Sequence, residues 1–158
     1  HLPTYEEAVG SKSPDYVKLA PSANTPRGSL LNVGIYKQRI RLGADVFLAD
    51  ANDRASGTGY GGDHTGAFCH VIGLGLGVWQ AHECQARVVV EAYSRALAAV
   101  RLPHISDLNF SWFPPECASC GGACDSELLT YPNGNSVRIH FNQRNPAEPL
   151  RGDHAGKL

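Results

Sequence analysis

The chain has 158 residues, of which 42% are hydrophobic, and this length suits one domain with a buried core. Its 14 Lys and Arg residues nearly balance its 15 Asp and Glu residues, and the charges are scattered along the chain. This pattern argues against a nucleic-acid groove or a basic membrane patch. No run approaches the ~20 apolar residues of a spanning helix, so we expect a soluble, cytoplasmic protein without nucleic-acid or membrane partners.

The five cysteines are an odd number and do not fit the even framework of a small secreted scaffold, which favours a reducing compartment. The chain begins at His1 and contains no Met, which indicates a fragment or a processed product. We therefore expect further parts of the fold beyond Leu158. The sequence does not indicate an oligomeric state.

The first part of the chain divides at about residue 28. Residues 1–28 contain four prolines among Ser, Asn and Gly, which predicts an irregular N-terminal arm before a single α/β domain over residues 29–158. Apolar residues at intervals of three to five then predict a helix from about Ser29 to Ala51, with a bend at Gly43. Residues 56–66 are rich in glycine and are expected to form a loop.

The middle of the chain has the pattern of a strand–helix–strand unit. Ala67–Ile72 is a short apolar run that predicts a buried strand, followed by the turn Gly73-Leu-Gly-Leu-Gly-Val-Trp79. A helix is predicted from Gln80 to about Val100, and a second strand from Asp107 to Phe113. Beyond an irregular loop with cysteines, Leu128–Tyr131 and Val137–Phe141 predict a hairpin turning at Asn133-Gly134.

The glycine turn is the strongest candidate for a binding site. Alternate glycines let backbone N–H groups approach a ligand, and the next helix offers the positive end of its dipole, so the two together can hold a phosphate. Alternatively, the glycines only let the turn pass beneath the helix. The spacing fits neither the dinucleotide pattern nor a Walker A loop, which argues against a plain dehydrogenase or NTPase.

The turn and its flanking elements resemble the second ligand loop of macro domains, in which an apolar strand ends in a glycine turn that wraps the diphosphate of ADP-ribose. The residues that carry this resemblance are Val71-Ile-Gly-Leu-Gly-Leu-Gly-Val-Trp-Gln80 and Leu108-Asn-Phe-Ser-Trp-Phe113. The Gly-Leu-Gly-Leu-Gly-Val-Trp run, with Arg144-Asn-Pro-Ala-Glu-Pro-Leu150, is also similar to an uncharacterised family of larger proteins. The resemblance implies a three-layer α/β domain with a mixed sheet and helices on both faces.

Macro domains also use a strand that ends in Asn-Ala-Ala-Asn, whose last Asn faces the ribose. Two segments resemble it: Asp45-Val-Phe-Leu-Ala-Asp-Ala-Asn52, whose spacing is helical, and Ile139-His-Phe-Asn142-Gln-Arg-Asn145-Pro-Ala147. We favour the second, which requires a permuted strand order and implies that Asn142 and Asn145 orient the ribose. The alternative is that these two residues only form turns before Pro146.

The resemblance also implies which residues hold the nucleotide. We expect the phosphates to contact Gly73, Gly75, Leu76, Gly77, Val78 and Trp79. Trp112 and Phe113 follow the second predicted strand, at the edge where α/β sheets collect ligands, and either ring can stack on a base. The alternative for Trp112 is a place in the core.

The thiols give two further hypotheses. Cys117, Cys120 and Cys124 form C-x2-C-x3-C and can bind a structural zinc ion with a fourth ligand, or remain free. Cys84 lies in the first turn of a predicted helix, where the dipole lowers a thiol pKa, and His82 is close to it in sequence. The pairs Asp63-His64 and Asp153-His154 are further candidate acid–base groups without an evident third partner.

We therefore expect a protein that binds ADP-ribose or a related nucleotide diphosphate through the glycine turn. If it is an enzyme, it hydrolyses an ADP-ribosyl bond by placing a water molecule against the anchored ribose. The alternatives are a non-catalytic interaction module stabilised by zinc, and a thiol enzyme that uses Cys84.

Overall fold

A computed structural model describes residues 3–11, 13–21, 28–57, 66–73 and 75–157 of the chain. Three α-helices and eight strands lie in these ranges, followed by a short 3-10 helix at Gly152–His154. In chain order they are α1 (Tyr5–Gly10), β1 (Tyr16–Leu19), β2 (Ser29–Asn32), α2 (Val33–Ala55), β3 (Ala67–Ile72), α3 (Cys84–Ala99), β4 (Ile105–Ser111), β5 (Ser119–Cys120), β6 (Ala123–Cys124), β7 (Leu128–Thr130) and β8 (Ser136–Asn142).

The N-terminal region contains regular structure where the sequence predicted an irregular arm. Thr4 begins α1 with a capping box: its hydroxyl accepts from the Glu7 amide at 3.3 Å, and the Glu7 carboxylate accepts from the Thr4 amide at 2.7 Å. β1 then pairs with β2 in an antiparallel ribbon. Proline restricts only its own neighbourhood, so the short segments between the prolines remain free to form these elements.

The helix predicted from Ser29 begins four residues later and ends four residues later than expected. Ser29 to Asn32 are taken into β2 by pairing with β1, and the Asn32 side chain then caps α2 by accepting from the Ile35 amide at 2.8 Å. α2 runs through Gly43 to Ala55. Asn52, the end of the first Asn-Ala-Ala-Asn-like segment, is therefore helical, as its spacing indicated.

The central sheet has the strand order β3-β4-β8-β7 and is mixed. β3, β4 and β8 are parallel to one another. β7 runs antiparallel to β8, and the two strands form the predicted hairpin. The structure thus confirms the βαβ unit, in which α3 connects the parallel neighbours β3 and β4. β3 has the predicted bounds, and α3 begins four residues later than expected.

The two faces of the sheet differ in character. One face carries Cys69, Val71, Leu108, Phe110 and Ile139, which form a single buried cluster with apolar residues of α2 and α3. On the other face, β4 and β8 present polar side chains instead, and the segment after β8, with its 3-10 helix, covers them. The resulting arrangement is a mixed α/β fold, consistent with the three layers expected from the sequence.

None of the described helices is both long enough and apolar enough to cross a bilayer.

Candidate functional site

Three parallel strands end at one edge of the sheet. Ile72, Ser111 and Asn142, which close β3, β4 and β8, lie beside one another in register. The chain segments that follow these strands therefore leave the sheet together, and parallel strands of open α/β sheets collect ligands at this edge. The glycine turn, Trp112 and Asn142 are all brought there, although the sequence segments that supply them are far apart.

The amides of the glycine turn are only partly used by the protein itself. The Leu76 amide donates to the Gly73 carbonyl and the Gln80 amide donates to the Gly77 carbonyl, each at 2.9 Å. Within the described residues, the amides of Gly77, Val78 and Trp79 have no acceptor. Val78 and Trp79 are 94% and 78% exposed, so this part of the turn is accessible from solvent.

The start of α3 is less available than the sequence indicated. The Gln85 side-chain oxygen accepts from the amides of Ala81 and His82 at 2.6 and 2.8 Å, and His82 Nδ1 accepts from the Cys84 amide at 3.2 Å. The amides of Ala81 and His82, which precede the helix, are therefore already paired with the buried Gln85 side chain and are not available to a ligand. In the turn itself, the amides of Gly77, Val78 and Trp79 remain without an acceptor among the residues that the structure describes.

The glycines of the turn have different structural roles. Gly75 has a φ of +80°, which favours glycine, whereas Gly77 has an ordinary φ and open space where a side chain would begin. At Gly73, a Cβ would lie 2.9 Å from the Leu76 side chain, which packs against the core. Gly73 and Leu76 thus anchor the turn, while Gly77 leaves its outer surface uncovered.

Trp112 and Phe113 have opposite environments. Trp112 is 64% exposed and has a φ of +63°, an uncommon conformation for a bulky residue. Phe113 instead packs edge-on against the buried Phe110 ring, with 5.2 Å between the centroids. Trp112 is therefore exposed and does not lie in the core, which was the alternative considered from the sequence. Backbone strain of the kind seen at Trp112 is concentrated at functional sites.

Asn142 and Asn145 both organise the backbone after β8. The Asn142 side-chain oxygen accepts from the Ser111 hydroxyl at 3.1 Å and from the Arg144 amide at 3.0 Å, and the Asn145 oxygen accepts from the Ala147 amide at 3.0 Å. The turn-forming roles considered for these residues are thus present. A role at a ribose stays a prediction. Because the side-chain oxygens are already used, the NH2 groups would be the ones to contact the ribose.

A cavity of about 340 Å³ lies beside Asn142. Phe113, Asp125 and Gln143 contribute to its walls. The Asp125 carboxylate also accepts from the Phe141 amide at 2.7 Å, which fixes its position against β8. The sequence pattern did not single out Asp125, because it lies in a loop whose path is set by tertiary contacts.

The three thiols proposed as zinc ligands do not converge. β5 and β6 form a tight antiparallel hairpin in which Cys120 pairs with Ala123, and Ser119 pairs with Cys124. Since partners in a hairpin share a face, Cys120 points into the core and Cys124 points to solvent. Among the described His, Cys, Asp and Glu side chains, these sulfurs do not form a group of metal-binding geometry. A zinc ion at Cys117, Cys120 and Cys124 stays a prediction without geometric support.

The thiols of Cys84 and Cys120 both have a raised pKa. Burial raises the pKa of Cys84 even though Arg87 opposes the shift, which is the reverse of what a thiolate nucleophile needs. Burial also raises the pKa of Cys120 to about 12. Asp63 and His64 lie outside the described residues.

A polar cluster that the sequence did not reveal lies under the C-terminal segment. Asp107 is 1% exposed, and its carboxylate contacts His140 Nε2 at 2.8 Å and Lys157 Nζ at 2.5 Å. Burial acts to raise the pKa of Asp107, but hydrogen bonds from His140, Lys157 and Ser106 outweigh it and hold that pKa well below its usual range. His154 joins the same carboxylate at 3.6 Å, so the Asp153-His154 pair does have a third partner.

Comparison with known proteins gives consistent relatives. The family described as ADP-ribosylhydrolase MavL-like matches residues 6–158. ADP-ribosylarginine hydrolase CG2909 of Drosophila melanogaster is 31% identical over 149 residues, which cover 91% of this chain. ADP-ribosylarginine hydrolase CG3568 of the same organism is 32% identical and covers 88% of this chain. The matched region spans 28% of the length of each relative. The chain belongs to the MavL-like ADP-ribosylhydrolase family.

Proposed function

We propose that the edge where β3, β4 and β8 end binds ADP-ribose, and that the protein hydrolyses the bond between ADP-ribose and an arginine side chain. The observation that carries the proposal is the set of exposed amides at Gly77, Val78 and Trp79, in the turn after the parallel strand β3, which have no acceptor among the described residues. The family membership supports ADP-ribose as the ligand, and the names of the two relatives point to arginine as the modified residue.

The diphosphate is expected to lie on the outer surface of the glycine turn. Three consecutive N–H groups, from Gly77 to Trp79, can donate to its oxygens. A hydrogen bond to a charged group contributes about 1.5–3 kcal/mol. Because no side chain stands at Gly77, a phosphate can approach the backbone to hydrogen-bonding distance.

The adenine is expected to stack on an exposed indole ring. Trp79 and Trp112 are 78% and 64% exposed and leave the same edge of the sheet from neighbouring strands. Stacking of a base on an aromatic side chain contributes about 1–3 kcal/mol. Trp112 is the better candidate, because its strained backbone turns the ring away from the core, where an indole would otherwise be buried.

The ribose next to the modified arginine is expected to lie at Asn142, with Asn145 beside it. Both side chains use their oxygen for backbone contacts, which leaves the NH2 groups as donors to ribose hydroxyls. Asp125 lines the adjoining cavity and acts as the general base for water. The water oxygen forms a bond to the anomeric carbon, the bond to the guanidinium nitrogen breaks, and that nitrogen takes up a proton.

The binding arm of the test uses Gly77→Ala in the full-length protein. The substitution adds a methyl group to open space at an ordinary φ, so the unliganded protein should keep its melting temperature. ADP-ribose affinity measured by calorimetry should fall tenfold or more, since even one lost amide contact to phosphate is worth that much. Gly10→Ala, also in open space but in α1, is the matched control and should bind normally. Equal affinity in Gly77→Ala and wild type would refute the proposed phosphate site.

The catalytic arm measures release of ADP-ribose from a peptide modified on arginine. Asp125→Asn should lower kcat by 100-fold or more, the size of a general-base contribution, with little change in KM. A peptide modified on serine serves as the comparison substrate. Full activity of Asp125→Asn would exclude this carboxylate as the base, and hydrolysis of the serine-linked peptide alone would refute the arginine assignment.

A further inference from the structure

The buried cluster around Asp107 lies apart from the proposed nucleotide site. Asp107 stands four residues before the end of β4, on the order of 13 Å from the ligand edge at 3.3 Å per residue. His140 reaches it from β8, and His154 reaches it from the 3-10 helix that covers the polar face. Nothing in the proposed hydrolysis uses these three side chains, although they bring a carboxylate and two imidazoles together in the interior.

The spacing of the three groups suits a small divalent cation. One ligand atom from each of Asp107, His140 and His154 lies within 4.8 Å of the other two. The Asp107 Oδ1 atom is 2.8 Å from His140 Nε2 and 3.6 Å from His154 Nδ1. Ligand atoms around a tetrahedral zinc ion lie about 3.3 Å apart, given bonds of ~2.0–2.2 Å. Shifts of less than about 1 Å would bring these atoms around one ion.

The surrounding side chains already hold the three groups in place. Phe68 packs against both imidazole rings, with centroid distances of 5.5 Å to His140 and 4.9 Å to His154. The Ser106 hydroxyl donates to the Asp107 Oδ2 atom at 2.7 Å and leaves Oδ1 facing the imidazoles. Partners of this kind orient metal ligands and strengthen binding. The His154 side chain is 32% exposed, so the cluster can be reached from solvent on that side.

Lys157 shows that the position accommodates positive charge. Its Nζ atom lies 2.5 Å from Asp107 Oδ2 and 3.4 Å from His154 Nδ1. A buried carboxylate requires a cationic partner, and the lysine ammonium supplies one. A divalent ion at the same carboxylate would be repelled by this ammonium over a few ångströms, so the lysine and the ion compete.

We infer that Asp107, His140 and His154 form a binding site for a divalent transition-metal ion of the zinc type, on the sheet face opposite α2 and α3, and that Lys157 competes with the ion for the Asp107 carboxylate. One carboxylate and two imidazoles form a ligand set that favours zinc, and a water molecule completes the coordination. The site is separate from the cysteine hairpin, whose thiols do not converge.

The test titrates the chelator-treated full-length protein with Zn²⁺ by calorimetry, and with Co²⁺ by visible absorption. The expected result is one ion per chain and a cobalt spectrum of nitrogen and oxygen ligands. His154→Ala should weaken binding at least tenfold, because it removes one of three ligands and is exposed enough to leave the fold intact. Lys157→Ala should strengthen binding, since it removes the competing charge.

Two controls keep the outcome specific. His104→Ala changes a partly exposed histidine outside the cluster and should leave Zn²⁺ affinity unchanged. Cys124→Ser removes the exposed thiol of the hairpin and should leave the cobalt spectrum unchanged. Equal affinity in His154→Ala and wild type, no binding by Lys157→Ala, or a thiolate band lost in Cys124→Ser would each overturn the inference.

Discussion

The side chain of Asn135 is the contact on which the junction between α3 and the β7–β8 hairpin depends. It is 1% exposed, and its oxygen accepts from the Leu102 amide at 2.6 Å. Its NH2 group donates to the carbonyls of Leu97 and Val100 at 2.6 and 2.7 Å. These carbonyls lie at the end of α3, where no further helical turn supplies donors. We expect Asn135→Ala to destabilise the protein strongly.

The size of the effect follows from which groups lose their partners. The Leu102 amide becomes a buried donor without an acceptor, which costs about 1–3 kcal/mol. The two carbonyls lose less, because Asn133 Nδ2 also donates to Leu97 at 2.8 Å and to Val100 at 3.2 Å. Adding about 1 kcal/mol for these weakened contacts, we expect the free energy of unfolding to fall by about 3 kcal/mol.

Urea denaturation followed by circular dichroism measures this change. Asn133→Ala is the matched control: it removes the more exposed set of donors to the same carbonyls and should cost about 1 kcal/mol. Asn135→Asp keeps the acceptor for Leu102 but places negative charge against two carbonyl oxygens, so it should be no more stable than Asn135→Ala. A loss below about 1 kcal/mol in Asn135→Ala, or equal losses at both positions, would refute this account.

Three further predictions concern the helices and the titration of the sheet. Leu48→Ala should destabilise the protein by about 2–5 kcal/mol in urea denaturation because Leu48 is fully buried, while Leu42→Ala, at a 69% exposed position of the same helix, should change the free energy by less than about 0.5 kcal/mol. Gly43→Ala should raise the melting temperature, since open space surrounds the added methyl group and alanine favours a helix by about 0.5–1 kcal/mol. Burial, and then the charge of Arg144, lower the pKa of His70, so the unfolded chain takes up a proton first as the pH falls below about 6.5. Stability should therefore decrease from pH 7 toward pH 5, and His70→Gln should flatten that decrease; an unchanged slope would contradict the assigned burial effect.

Local patterns predicted the central elements well. The apolar run Ala67–Ile72 forms β3 with the predicted bounds, because a short segment that is apolar on both faces can bury both of them as a strand covered on both sides. The stripe of α3 and the Asn133-Gly134 turn were likewise confirmed, as each depends on residues close in sequence. The start of α2 was wrong by four residues, since pairing between β1 and β2 outweighed helical spacing at Ser29.

Side-chain placement at the cysteines depended on contacts that spacing does not encode. The C-x2-C-x3-C pattern indicated convergence, but the hairpin directs Cys120 and Cys124 to opposite faces. Trp112 shows the same limit, because the backbone at the end of β4 turns its ring to solvent.

The sequence by itself determined the strand–turn–helix unit and its glycine turn, because periodicity and glycine spacing act over neighbouring residues. The resemblance of these residues to macro domains is what pointed to ADP-ribose. Only the tertiary structure decided that the glycine turn, Trp112 and Asn142 share one edge, since this follows from the parallel order of β3, β4 and β8. It also decided the cluster at Asp107. His140 is 33 residues away along the chain and Lys157 is 50, and only strand register and the returning C-terminal segment bring such distant groups into contact.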